Sequence, residues 1–119
     1  MKDLLGVLSA SLCIAHCLIL PAAIAAGLPL AGMAVLSRKE VHLALSLLVV
    51  LLAVWAFPYG WFRHRQVLPG LLGLVAIGIL VLTAFAAEVF EVYLATLGSF
   101  CLITAHLMNR HLLLNNVVL

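Results

Sequence analysis

Charge is what this sequence has least of. Its 119 residues hold four acidic and six basic side chains, against 67% hydrophobic residues and a mean hydropathy of +1.34. A soluble domain carries roughly a quarter charged residues. A soluble fold of this size also has too much surface to hide so much apolar side chain. A water-soluble domain is therefore excluded, and a bilayer-embedded one is expected. The net charge of +2 is too small to recruit nucleic acid. Cysteine is scarce as well: three residues, an odd number, exclude a complete set of intrachain disulfides. No GxxxxGK[ST], GxGxxG or HExxH pattern occurs, so phosphate-cradling and zincin chemistry have no support. No nucleophile stands beside a paired base, so the chain is expected not to be an enzyme, with no catalytic residue and no tightly bound cofactor.

Apolar sequence is there in abundance. A helix needs about 20 apolar residues to cross a bilayer. Windows at 4–28, 41–57, 67–87 and 89–114 qualify, the second near the short limit. They predict an all-α fold: a four-transmembrane-helix antiparallel bundle forming a single membrane domain over 1–119. The first window follows Lys2 and turns alanine-rich near Ala22 to Ala26, as a signal peptide would. It is longer than a usual signal h-region and polar residues interrupt it, so it reads as a retained span.

Three short breaks separate the windows, which makes neighbouring helices antiparallel. The first is Ser37-Arg38-Lys39-Glu40, opening with a serine suited to an N-cap. The second runs from Pro58 to Arg65 and mixes turn residues, aromatics and cations. The third holds Glu88 and Glu91. Four spans put Lys2, Arg63, Arg65 and Arg110 on one side and Arg38 and Lys39 on the other. The excess of cations favours cytoplasmic termini in a bacterial inner membrane.

The polar groups inside the apolar runs carry the chemistry. The first window contains SLCIAHCLILP, Ser11 to Pro21. On a helix, Ser9, Cys13, His16 and Cys17 fall within one stripe, because residues three and four apart are neighbours. Two thiolates and an imidazole suit soft or borderline ions: copper(I), zinc and, by the same softness, mercury(II). Pro21 clashes with the Cys17 carbonyl four residues earlier. The resulting kink frees backbone oxygen and predicts a small polar pocket there. The bland alternative is that these cysteines merely pack. Ionisable residues inside a span are costly, however, and tend to mark pathways. In the last window Ser99, His106, Asn109 and Arg110 share a face while Cys101 points elsewhere, so His106 is a candidate ligand or relay. His42 is a candidate entry contact, and Glu88 and Glu91 a candidate cation lure. His64 and His111, set among cations, read as surface groups. Gly70, Gly73 and Gly78 make the third window a packing helix.

Three stretches resemble the MerC-type mercury-resistance family of four-helix inner-membrane proteins. LCIAHC followed by Pro21 resembles the family's cysteine pair and proline in its first span. GWFRHRQVLPGLLG, Gly60 to Gly73, is similar to its short cytoplasmic link. HLMNR, His106 to Arg110, looks like the ending of many chromosomal members. The resemblance implies uptake of mercuric ion through Cys13 and Cys17 and delivery to a cytoplasmic thiol acceptor. Mercury-resistance members look like CxxC at the first motif, whereas this chain has CxxxC with His16 inside it, and LLLNNVVL carries none of their tail cysteines. Imidazole added to two thiols makes zinc a second candidate cargo.

The resulting expectation is an inner-membrane carrier of a soft divalent metal ion, mercury(II) or zinc, working by thiolate and imidazole ligand exchange. Cys13, Cys17, His16 and His106 are its expected ligands, with His42, Glu88 and Glu91 at entry or relay positions. Its expected partners are the metal ion, the lipid bilayer and a cytoplasmic metal acceptor, with a homodimer as a further candidate. Two rival readings stand beside it. One is a haem-binding redox protein with His16 and His106 as axial ligands, although no CxxCH motif occurs. The other is a metal-sensing accessory subunit with no transport of its own.

Overall fold

The computed structural model describes residues 1–28, 32, 35 and 39–117. Among these, four helices account for nearly everything: α1 (Lys2–Ala25), α2 (Lys39–His64), α3 (Leu68–Thr83) and α4 (Glu88–Val117). The described residues contain no strand. The bundle measures 54 × 25 × 18 Å. Helices α2 and α4 each pack against the other three, and α1 and α3 flank that pair. Ser37 and Arg38, in the first break, lie outside the described residues.

Three helices, α1, α2 and α4, are long and apolar enough to cross a membrane. At 1.5 Å per residue, the 24 residues of α1 reach about 36 Å, beyond a hydrocarbon core of about 30 Å. The 16 residues of α3 reach only about 24 Å. The sequence window for this helix ran on to 87, and the reason it stops at Thr83 is local. The Thr83 hydroxyl donates to the Leu80 carbonyl at 2.6 Å, competing with the helical ladder. Ala84, Phe85 and Ala86 then donate to carbonyls three residues back, a tightened 3₁₀-type ending.

Helix α2 departs from its window in the other direction. It continues from Phe57 through Pro58 to His64, across the stretch that reads as a loop in the sequence. An interior proline is tolerated in membrane helices, where neighbouring groups re-satisfy the freed backbone. The helix ends instead at Arg65, which takes the left-handed conformation with φ 58°. Its N–H closes on the Trp61 carbonyl at 2.9 Å. Helix α1 ends by the same device with the residue that suits it. Gly27, at φ 71°, occupies the left-handed position. Leu28 donates to Ala23 and Gly27 to Ile24, the paired bonds of a Schellman cap.

The core is built of small side chains: Ala10, Cys13, Val49, Ala53, Ala76, Ala95 and Ala105 are all essentially inaccessible. Large apolar side chains such as Leu12, Leu51, Leu74 and Phe100 point outward. That inverts the soluble pattern and fits a lipid solvent, in which helices associate by close backbone approach rather than by hiding leucine. At the end that holds the chain terminus, the Lys2 ammonium sits over Trp55 and Tyr59, 4.5 and 4.3 Å from their ring centroids. Amphipathic aromatics of this kind belong at a membrane–water boundary.

The left-handed Arg65 gives the first test. A residue with a Cβ pays about 1 kcal/mol or more for that conformation, and glycine does not. Arg65→Gly is expected to raise the thermal unfolding midpoint in mild detergent, by an amount equivalent to about 1 kcal/mol. A lower midpoint would show that the arginine side chain contributes more than its backbone costs.

Candidate metal centre

The stripe on α1 builds the first wall of the site. Cys13 and Cys17 are one turn apart and both buried. Helix α2 supplies the facing wall, with His42 and, one turn further, Ser46, both buried. Helix α4 closes it with Glu91 and Ser99, also buried. Three helices, α1 running antiparallel to α2 and α4, thus bring thiol, imidazole, carboxylate and hydroxyl groups into one interior region.

The distances define a cluster. The Cys17 Sγ lies 3.9 Å from the His42 Nε2. Ligand atoms of Cys13, Cys17 and His42 all fall within 4.8 Å of one another. In a tetrahedral zinc site, ligand atoms bound at about 2.0–2.3 Å stand about 3.3–3.8 Å apart. The most distant of these atoms therefore need to close by at most about 1.5 Å to grip an ion. Hydroxyls of Ser46 and Ser99 face the Cys13 thiol without closing an ordinary hydrogen bond. The centre consequently holds polar groups that an incoming ion would organise.

Glu91 decides how His42 presents itself. The His42 Nδ1 is 3.0 Å from Glu91 Oε1. A carboxylate accepts, so Nδ1 carries the proton and Nε2 keeps its lone pair, pointed toward Cys17. This is the carboxylate–histidine arrangement that orients imidazole ligands in metal sites. His16 completes the surroundings: its ring meets His42 edge to face, centroids 6.0 Å apart. A cavity of about 360 Å³ opens beside them, lined by His16, Cys17, Leu20, Pro21, Ile24, Ala25 and His42. Of the two thiols, Cys17 is the one that borders this cavity, which follows the last turns of α1.

The residues singled out in the sequence are distributed as follows. Cys13, Cys17, His16, His42 and Glu91 come together. Glu88 is exposed and apart from them. Cys101 is half-buried and outside the cluster. His106 is fully buried but belongs to another network, donating from Nδ1 to Asp3 at 3.0 Å. Arg110 is exposed, unlike Ser99, His106 and Asn109 on the same helix. His64 is buried and bonded to Asn109, because the last turn of α2 faces α4 rather than water. His111 is exposed as expected. Two residues escaped the sequence reading altogether: Asp3, which looks like an ordinary first-turn acid, and Ser46, on the buried seam of α2.

A buried thiol–imidazole–carboxylate cluster inside a bundle of apolar, membrane-length helices defines a helical membrane protein with a candidate soft-metal site. A family model described as MerC mercury resistance protein matches residues 3–111, and the chain belongs to that family. No curated protein and no solved structure matches it.

The Glu91 geometry is testable. Glu91→Leu strips the partner from Nδ1–H and is expected to lower metal affinity about 10–100-fold in competition with a chromogenic chelator. Glu91→Gln should lose less, since an amide oxygen still accepts. Wild-type affinity in Glu91→Leu would remove Glu91 from the account of the site.

Proposed function

We propose that this MerC-family protein carries a soft divalent cation across the bacterial inner membrane, mercuric ion first and zinc second. The observation that carries the reading is the convergence of Cys13, Cys17 and His42 ligand atoms within 4.8 Å inside a membrane bundle. Cys13 and Cys17 are the primary ligands, His42 the third, and His16 the contact that receives the ion from the cavity. Two thiolates neutralise a divalent charge, so loading the site with an ion adds no net charge to a low-dielectric interior. Three ligands are fewer than a closed structural site provides. That suits transport, in which an ion must leave as readily as it enters. The mechanism is ligand exchange: the ion arrives through the cavity, displaces the thiol protons and moves on to an acceptor.

The distribution of cations supports an orientation. Lys2, Arg63, Arg65 and Arg110 occupy the end that holds the chain terminus, and Lys39 the opposite end. With the cation-rich end in the cytoplasm, the cavity beside Cys17 opens toward the periplasm, and Glu91 holds the His42 ring that lines it. The cargo then passes inward to a cytoplasmic thiol acceptor. The haem reading loses its support, because His16 stands beside His42 while His106 is engaged with Asp3 at the other end. A sensing subunit would share the same cluster, and flux separates it from a carrier.

The test is uptake into proteoliposomes containing only this chain. Wild type should accumulate mercuric ion, the Cys13→Ser, Cys17→Ser double variant should not, and Cys101→Ser should stay close to wild type. Uptake that survives in the double variant, or a loss in Cys101→Ser as severe as in it, overturns the assignment. His42→Ala and His16→Ala should weaken zinc more than mercury, since two thiolates satisfy mercury alone. Equal losses for both ions, measured by the same competition assay, would count against imidazole ligation.

A further inference from the structure

A second buried polar cluster lies about 15 Å from the thiols along α1, at the end that holds the chain terminus. It joins three helices through Asp3, His64, His106 and Asn109, all buried. Its hydrogen bonds can be oriented without ambiguity. The Gln66 N–H donates to His64 Nδ1 at 3.0 Å. His64 must then carry its proton on Nε2, which donates to Asn109 Oδ1 at 2.9 Å. The Asn109 amide nitrogen consequently faces Asp3, donating to Oδ1 at 2.9 Å and Oδ2 at 3.0 Å. His106 Nδ1 reaches the same carboxylate at 3.0 Å. Asn109 and His106 both donate to Asp3, and Gln66 and His64 hold Asn109 in that orientation.

His106 is the member whose other nitrogen has no role. Its Nε2 is buried and has no hydrogen-bond partner among the described residues. It rests against Gly6, where any side chain would overlap the ring. Phe57 stacks on the ring at 4.6 Å and 25°. Two protonation states compete, and each is flawed. With Nε2 bare, the Asp3–His106 pair carries one negative charge inside a membrane protein, which is costly. With a proton added at Nε2 the pair is neutral, but a buried N–H is left without an acceptor.

On α1, Lys2 is the nearest cation in sequence, and its ammonium is held over Trp55 and Tyr59. On α2, His64 accepts the Gln66 N–H at Nδ1 and donates from Nε2 to Asn109, away from the pair. On α4, Arg110 is exposed. Helix α3 carries no titratable side chain.

We propose that Asp3 and His106 form a buried proton-binding site, distinct from the thiol cluster, that takes up and releases one proton at His106 Nε2. Resting on the carrier reading, the site makes cation passage respond to pH at the face that holds the chain terminus.

Histidine-selective ¹⁵N NMR of the full chain in lipid bilayers tests the site directly, with the His106 signal assigned by His106→Gln. Between pH 5 and 9, His106 Nε2 should pass from protonated to bare, while His64 keeps its Nε2–H form throughout. In Asp3→Asn the His106 transition should move to lower pH, since the counter-ion is gone. A single His106 protonation state across the range in wild type overturns the site. So does an Asp3→Asn variant that titrates as wild type does. If Asp3→Asn fails to fold, the wild-type titration still decides. In proteoliposomes, stepping the pH at the termini-bearing face from 6 to 8 should change wild-type cation flux several-fold more than the flux of Asp3→Asn, which keeps only the response of the thiols. An equal pH response in Asp3→Asn and wild type overturns the coupling. Absence of flux from every variant would fail the carrier reading alone, and the NMR result would stand apart from it.

Discussion

A bilayer core contains no water to satisfy a polar side chain, so the carboxylates buried in this bundle depend on partners supplied by other helices. That constraint organises the molecule. With so few charges in the chain, those that are buried do not stand alone: Glu91 meets His42, and Asp3 meets His106 and Asn109. Each pairing crosses between helices, so each also fixes how those helices sit. Alanine and glycine on the contact faces let the backbones approach closely enough for such short side chains to meet. Gly60 shows how tight the fit is: a Cβ there would overlap the Asn109 amide.

The two polar clusters share a logic but not a chemistry. Near the start of α2, soft sulfur and an oriented imidazole surround a space that opens to a cavity. At the other end, hard oxygen and nitrogen groups saturate one another and leave only His106 Nε2 over. The first is equipped to exchange ligands with a metal ion, and the second to exchange a proton. Both are reached from α1, whose Cys13 and Asp3 lie on the same buried side. A helix carrying both faces is a natural element for coupling the two.

Much of this was legible in the chain itself. Helix count, the antiparallel arrangement and the Cys13–Cys17 stripe follow from hydropathy and from a period of 3.6 within one helix. The partners of that stripe do not. His42 sits next to a charged loop and reads as solvated, yet the register of α2 against α1 turns it onto Cys17. A signal for this was present: His42, Ser46, Val49, Ala53, Ala56, Gly60 and His64 recur at spacings of three and four and are all buried. That seam marks one face of α2 as interior from end to end, including the stretch past Pro58 that resembles a loop. His64 was hidden by its cationic neighbours and Asp3 by its place in the first turn. His106 was expected to be a metal ligand or relay, and periodicity within α4 could not reveal that Asp3, rather than a thiol, faces it.

The measurement closest to the central claim is X-ray absorption at the mercury and zinc edges of purified protein loaded with one equivalent of each ion. The account requires two sulfur neighbours for mercury, and two sulfurs with at least one imidazole nitrogen for zinc. A first shell of oxygen and nitrogen alone, or a single sulfur for either ion, would contradict it.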